Sequence, residues 1–168
     1  MKKTRVILSI AMFFLLWNFP AFAAEILGVY FPPYKDSHLP IIRLYDNAEK
    51  YIHLSIYSLT KNEFAEALIK AHKRGVEVKV VIDKAQAGNQ YADDEWLENE
   101  GIEVRRDKAG GLMHNKFCII DDVIVYTGSY NHTEGATTKN DENYIIIKDI
   151  GIAHIYETQF QKLWEKHK

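Results

Sequence analysis

The chain has no pair of cysteines: Cys118 is the only one in 168 residues. An internal disulfide is therefore excluded even in an oxidising compartment. Cys118, between Phe117 and Ile119 in an apolar run, reads as a small buried hydrophobe. Positive charge is not in excess either, with 21 basic against 23 acidic residues. Such a balance gives no global attraction for nucleic acid, so any binding of that kind must come from a local patch. Long apolar runs are absent beyond the first 20 residues. The one present, Val6 to Phe19, follows Lys2, Lys3 and Arg5 and gives way to Pro20-Ala21-Phe22-Ala23. It is shorter than the roughly 20 residues that a membrane span needs and has the form of a secretory signal peptide over residues 1–23, cleaved after Ala23. That expectation implies a periplasmic or secreted protein with no stable membrane association after cleavage. Loss of the leader takes the basic total from 21 to 18 against 23 acids, a net charge of about −5. Low-complexity tracts and long linkers are also missing, and residues 24–168 have the length of a single domain with one core.

What remains alternates between strand and helix patterns. Ile26 to Phe31 reads as a strand, Ile41 to Lys50 as a helix and His53 to Tyr57 as a strand. Thr60-Lys61-Asn62-Glu63 has the form of a capping box opening a helix that ends at Gly75. Val76 to Ile82 is the next strand, Ala92 to Asn99 a helix and Ile102 to Arg105 a short strand. Lys116 to Ile120 and Val123 to Tyr126 form a hairpin about Asp121-Asp122. Tyr144 to Ile147 is the last strand, and Ile152 to Trp164 a terminal amphipathic helix. This order predicts an α/β fold, a mixed central β-sheet flanked by helices.

The chemistry concentrates between residues 110 and 143. His114 and Lys116, two residues apart on a segment entering a strand, leave the same face, so an imidazole and an ammonium can meet one substrate group. Ser129 and Asn131 repeat that spacing after the next strand and add neutral hydrogen-bond donors. Asp121 lies an odd number of residues from Lys116 and should face elsewhere, as a supporting ion pair or register contact. Gly110-Gly111 can bring backbone close to a phosphate. A phosphodiester resists attack because its anionic oxygens repel nucleophiles. Lysine answers the charge, and imidazole is a nucleophile that later departs easily. A lysine between His114, Asp121 and His132 would repel a cation, so neither metal nor cofactor is expected. His132 reads equally as a loop residue or a substrate contact, whereas His38, His53, His72, His154 and His167 read as solvated. Arg105, Arg106 and Lys108 run up to the site, with Lys84 and Lys139 as further candidates, and are possible nucleic-acid backbone contacts. Tyr91 and Tyr130 are candidate base-stacking residues.

The spacing His-x-Lys, four residues, Asp, six residues, Gly-Ser-x-Asn resembles the phospholipase D superfamily, and Asn140-Asp141-Glu142-Asn143 is similar to its downstream Asn-x-Glu-Asn element. The single motif copy is similar to small bacterial endonucleases of the Nuc type, which are homodimers. This resemblance implies a phospholipase D-like fold, a covalent phosphohistidine on His114, and catalytic parts for Lys116, Asp121 and Glu142, with Glu142 orienting the histidine. It implies phosphate binding by Lys116, Ser129 and Asn131, and a second histidine that protonates the leaving alkoxide. Because one chain supplies one such histidine, the implied assembly is a homodimer with a shared site. The leading reading is a metal-independent phosphodiesterase, a non-specific endonuclease with DNA as its nucleic acid substrate and RNA as a second option. A lipid phosphodiesterase and an inactive nucleic-acid-binding module are the alternatives.

Overall fold

A computed structural model describes residues 23–108 and 110–168. All but the last residue of the expected leader lies outside them. Twelve elements follow in order: β1 (Glu25–Tyr30), α1 (Leu39–Asn47), β2 (Tyr51–Ile56), α2 (Asn62–Lys73), β3 (Glu77–Ile82), α3 (Asp94–Asn99), β4 (Glu103–Arg106), β5 (Lys116–Ile120), β6 (Ile124–Gly128), α4 (Glu134–Thr138), β7 (Tyr144–Lys148) and α5 (Ile150–Lys166). The strands form one sheet in the order β1-β7-β6-β5-β2-β3-β4. β2, β3 and β4 run parallel, as their helical crossovers require, and the remaining neighbours are antiparallel. The mixed sheet flanked by helices is the architecture expected from the sequence.

Alternation along the strands divides the core in two. Ile52, Leu54, Ile56, Val80, Cys118, Ile120 and Tyr126 meet α1 and α2 through Ile41, Tyr45, Phe64 and Leu68. On the other face Val81, Phe117, Ile119 and Val125 meet Phe160, Leu163 and Trp164 of α5. Each large apolar side chain buried this way contributes roughly 1.5–3 kcal/mol. Cys118 is buried and free, as expected. Among the described residues no helix is long and apolar enough to cross a membrane.

Three local expectations are corrected. The Thr60–Glu63 capping box does not form: α2 is capped by Lys61 without a side-chain bond, and Lys61 Nζ instead bridges Glu63 and Glu134 at 2.9 and 2.7 Å. The short helix α4 follows a Thr133 cap whose hydroxyl accepts from Ala136 N–H. At five residues it is too short for a 3.6-residue period to show in the sequence. Finally, His53 and His167 are buried rather than solvated. The His53 ring stacks on Phe160, with its two nitrogens 2.9 and 3.0 Å from carboxylates of Glu157 and Glu77.

Candidate active site

The β5–β6 hairpin decides which residues meet. Asp121 and Asp122 take the positive φ angles of its tight turn, 54° and 63°, and antiparallel pairing from Ile120↔Ile124 to Phe117↔Thr127 brings the start of β5 beside the end of β6. His114 and Lys116 therefore lie near Ser129 and Asn131, although a dozen or so residues of strand and turn separate them in sequence. Gly128 makes the close approach possible. A Cβ there would strike the carbonyl oxygen of Asn143 and come 2.7 Å from the Cα of Tyr144, so any side chain would displace the strand end that presents Ser129.

His114 is exposed and Lys116 is nearly buried, at 6% exposure. Lys116 Nζ donates to the carbonyl of His114 at 2.8 Å and lies 5.0 Å from the centre of the Tyr57 ring. The same ring stands 4.6 Å from that of His114. Burial lowers the Lys116 ammonium below the ordinary lysine range, and the charge of Glu142 opposes that shift. Asn131 Oδ1 accepts from Ser58 N–H at 3.2 Å, which fixes the carboxamide and directs its NH2 away from that contact. Ser129 Oγ donates to Glu142 and accepts from Asn143 N–H at 3.1 Å. Asn140 Nδ2 donates to the other oxygen of Glu142 at 3.2 Å. Glu142 thus enters the site through Ser129 and its charge on Lys116; its hydrogen bonds go to Ser129 and Asn140, where the resemblance implied the His114 ring.

Beside His114 and Lys116 a groove of about 670 Å3 opens, with Phe117, Thr127 and Tyr156 on its floor and His154, Thr158 and Lys162 along α5. The spacing i, i+4, i+8 puts the last three on one helix face. His154 reads from sequence only as a solvated histidine, and nothing in the sequence singles out Thr158, Lys162 or Tyr57. The helix face carries the polar side of an amphipathic pattern, which does not say what it will border. Tyr57 reaches the site only because Ile56 pairs with Lys116.

Several expected site residues are elsewhere. Asp121 follows the far end of β5 and accepts from the backbone N–H groups of Glu49, Lys50 and Tyr51 at 2.9, 2.7 and 3.1 Å. It holds the entrance of β2 and has no contact with the chemistry. His132 is fully buried; its Nε2 lies 2.9 Å from the phenols of both Tyr45 and Tyr126, and burial pushes its pKa down to about 3. It is a neutral core group and no substrate contact. Tyr130 is buried too, its hydroxyl paired with Thr137 at 2.7 Å, which leaves Tyr91 as the exposed aromatic of the two.

The basic run is consumed internally. Arg106 forms a two-pronged pair with Glu98 at 2.8 and 2.7 Å and bonds the buried Asp94 at 2.8 Å. These carboxylates, Glu98 foremost, raise its already high pKa. Arg105 lies over the Trp164 ring at 3.9 Å and donates to the Trp164 carbonyl. Lys108 donates to the carbonyl of Lys168. The carboxylates facing Arg106 come from α3, a partnership that only the fold creates.

Residues 41–164 match the family of the cardiolipin synthase, PLD-like domain. The chain belongs to the phospholipase D superfamily. It is 33% identical over 122 residues to a mitochondrial cardiolipin hydrolase of Chlamydomonas reinhardtii, covering 73% of this chain and 55% of that protein. Against a phospholipase D of Rickettsia bellii the identity is 38% over 111 residues, covering 66% of this chain and 55% of that one. The chain thus spans little more than half the length of these relatives. Among solved structures, the phospholipase D family member Nuc of Salmonella typhimurium superposes with a TM-score of 0.81 at 31% identity, over 87% of this chain and 97% of that one. NucT of Helicobacter pylori shares the fold with a TM-score of 0.79 at 24% identity, over 86% and 98% of the two chains.

Proposed function

We propose that this chain is a metal-independent phosphodiesterase, a non-specific endonuclease acting on DNA, with His114 as nucleophile and Lys116 as the cation that meets the substrate phosphate. One observation carries the reading: an exposed imidazole and a nearly buried ammonium lie 4.6 and 5.0 Å from the centre of one ring, that of Tyr57, and the next residue, Ser58, fixes the carboxamide of Asn131. The His114 ring attacks phosphorus, the leaving alkoxide takes a proton, and water then breaks the phosphorus–nitrogen bond. Lys116 and Asn131 stabilise charge on the non-bridging oxygens during both steps. Ser129 and Glu142 form a hydrogen-bonded pair at the rim. With Arg105, Arg106 and Lys108 occupied, Lys162 is the cation on the α5 side of the groove that a phosphate backbone would follow, with the His154 ring beside it.

The acid for the first step is assigned to His114 of a second copy. The opposed helix α5 packs on β2, β5 and β6. The continuing face of β7 and β1 carries Ile145, Ile147, Ile26 and Val29, with Ile26 at 62% and Val29 at 51% exposure. Ile155 on α5 is exposed beside the groove. This apolar face next to the site supports a two-fold homodimer with one composite centre. Export to the periplasm or medium, through the leader, belongs to the same proposal.

The apolar lining of the groove, Phe117, Ile155 and Tyr156, favours a second reading, a phospholipase D-type lipid phosphodiesterase. The deciding experiment compares release of soluble nucleotide from DNA with release of head group from cardiolipin vesicles, each assayed in magnesium and in excess chelator. Nucleotide release that His114→Ala abolishes supports the endonuclease; head-group release alone transfers the chemistry to lipid, and loss of both on chelation overturns the metal-free mechanism. Assembly is tested by mixing excess His114→Ala protein with wild type after subunit exchange. Activity far below simple dilution is expected, and a fully active monomer would refute the shared site.

A further inference from the structure

Tyr57 is the first residue beyond β2, whose last member, Ile56, pairs with Lys116 across the antiparallel β2–β5 ladder. That register delivers a half-buried aromatic ring beside both His114 and Lys116. The ring centres of Tyr57 and His114 are 4.6 Å apart with their planes inclined at 59°. Lys116 Nζ lies 5.0 Å from the same Tyr57 centre. The phenol oxygen accepts from Gln86 Nε2 at 3.2 Å, so the ring is tied to the segment after β3. That segment holds the other side of His114 as well: the buried Asp83 accepts from Met113 N–H at 2.9 Å and so fixes the backbone just before the imidazole. The next residue, Ser58, holds Asn131. Three site side chains are thus referenced to one dipeptide.

A tyrosine suits this place for two physical reasons. An exposed histidine samples several rotamers, and only some aim a ring nitrogen at phosphorus; a fixed aromatic wall removes part of that freedom before substrate arrives. A π face also attracts an ammonium without neutralising its charge or occupying its N–H donors in the way that a carboxylate would. Lys116 can therefore be held near His114 and still present full positive charge to an incoming phosphate.

We propose that Tyr57 is a positioning residue of this active site, whose ring sets the relative placement of the His114 imidazole and the Lys116 ammonium, with Gln86 fixing the ring. The proposal rests on the reading of His114 as nucleophile. It is tested with Tyr57→Phe and Tyr57→Leu, each assayed for kcat and KM on a DNA oligonucleotide and examined by NMR for the His114 ring protons. His114→Ala serves to assign those protons. If Tyr57→Leu unfolds, Tyr57→Met, which fills similar space without a π face, takes its place. Expected is a fall in kcat of about 100-fold in the leucine variant with KM little changed, the scale of a small misplacement of reacting groups. The phenylalanine variant should stay within a few-fold of wild type. The ring-current shift that Tyr57 imposes on the His114 protons should persist in the phenylalanine variant and vanish in the leucine variant. Near-normal kcat in Tyr57→Leu, or equal losses in both variants, overturns the positioning role. An active His114→Ala protein instead removes the nucleophile assignment itself, whatever Tyr57 does.

Discussion

His132 Nε2 sits 2.9 Å from the hydroxyl of Tyr45, in a fully buried position between helix α1 and the sheet. Burial lowers the pKa of this imidazole to about 3, against an ordinary 6.5. As the pH falls, the unfolded chain therefore takes up the proton first. The stability contributed by neutral His132 is complete above pH 6.5 and is lost as pH falls toward 3, by about 1.4 kcal/mol per pH unit. Urea unfolding between pH 7 and pH 4 should show that slope, and His132→Gln should flatten it.

Arg106 is expected to act on stability alone. Arg106→Ala leaves Asp94 buried without its cation, at a cost of about 3 kcal/mol. The salt dependence of oligonucleotide binding should match wild type. Lys162→Ala, in the groove, should leave the unfolding midpoint in place and make binding less sensitive to salt, by about one unit in the log–log slope. A reversal of these two outcomes would restore the basic run as a substrate track.

On the proposed mechanism, Lys116 is expected to control the alkaline side of the reaction. Its pKa is depressed by burial, so its charged form is lost at lower pH than for a solvated lysine. The rate should fall on the alkaline side below the usual lysine range, and Lys116→Arg, if it retains activity, should carry that limb to higher pH. Lys116→Ala should cost on the order of 3 kcal/mol of transition-state stabilisation. Measurement of kcat/KM against pH for the three proteins checks both statements.

Asp121→Ala should separate folding from chemistry. Three backbone N–H groups lose a charged acceptor, which predicts a loss of roughly 2–3 kcal/mol in unfolding free energy. The kcat of the folded fraction should remain within a few-fold of wild type, because the carboxylate lies at the far end of β5. A collapse of kcat with unchanged stability would return Asp121 to the catalytic group.

Sequence pattern and structure agree where the information is local. The alternating strands, the Asp121–Asp122 hairpin and the pairing of His114 with Lys116 rest on periodicity and turn chemistry within a few residues. Disagreement arises where a side chain finds its partner across the fold. Arg106 looked free because Asp94 and Glu98 join it only after α3 packs beside β4. His132 looked available because the phenols of Tyr45 and Tyr126 arrive from 87 and 6 residues away. Tyr57 looked like any strand-end aromatic, since the β2–β5 register that carries it to His114 leaves no trace in the residues around it.

The Asp121 contacts give the interval between Lys116 and Asp121 a mechanical meaning. One end of β5 is fastened to the backbone that opens β2, and the other end is where β2 hands over to Tyr57. The strand between them is a gauge about 17 Å long, and its length in residues decides which side chain comes level with the tyrosine ring. One added residue would turn Lys116 to the opposite face while the anchor stayed seated. The motif acid therefore works as the datum from which the distant His114–Lys116 pair is measured.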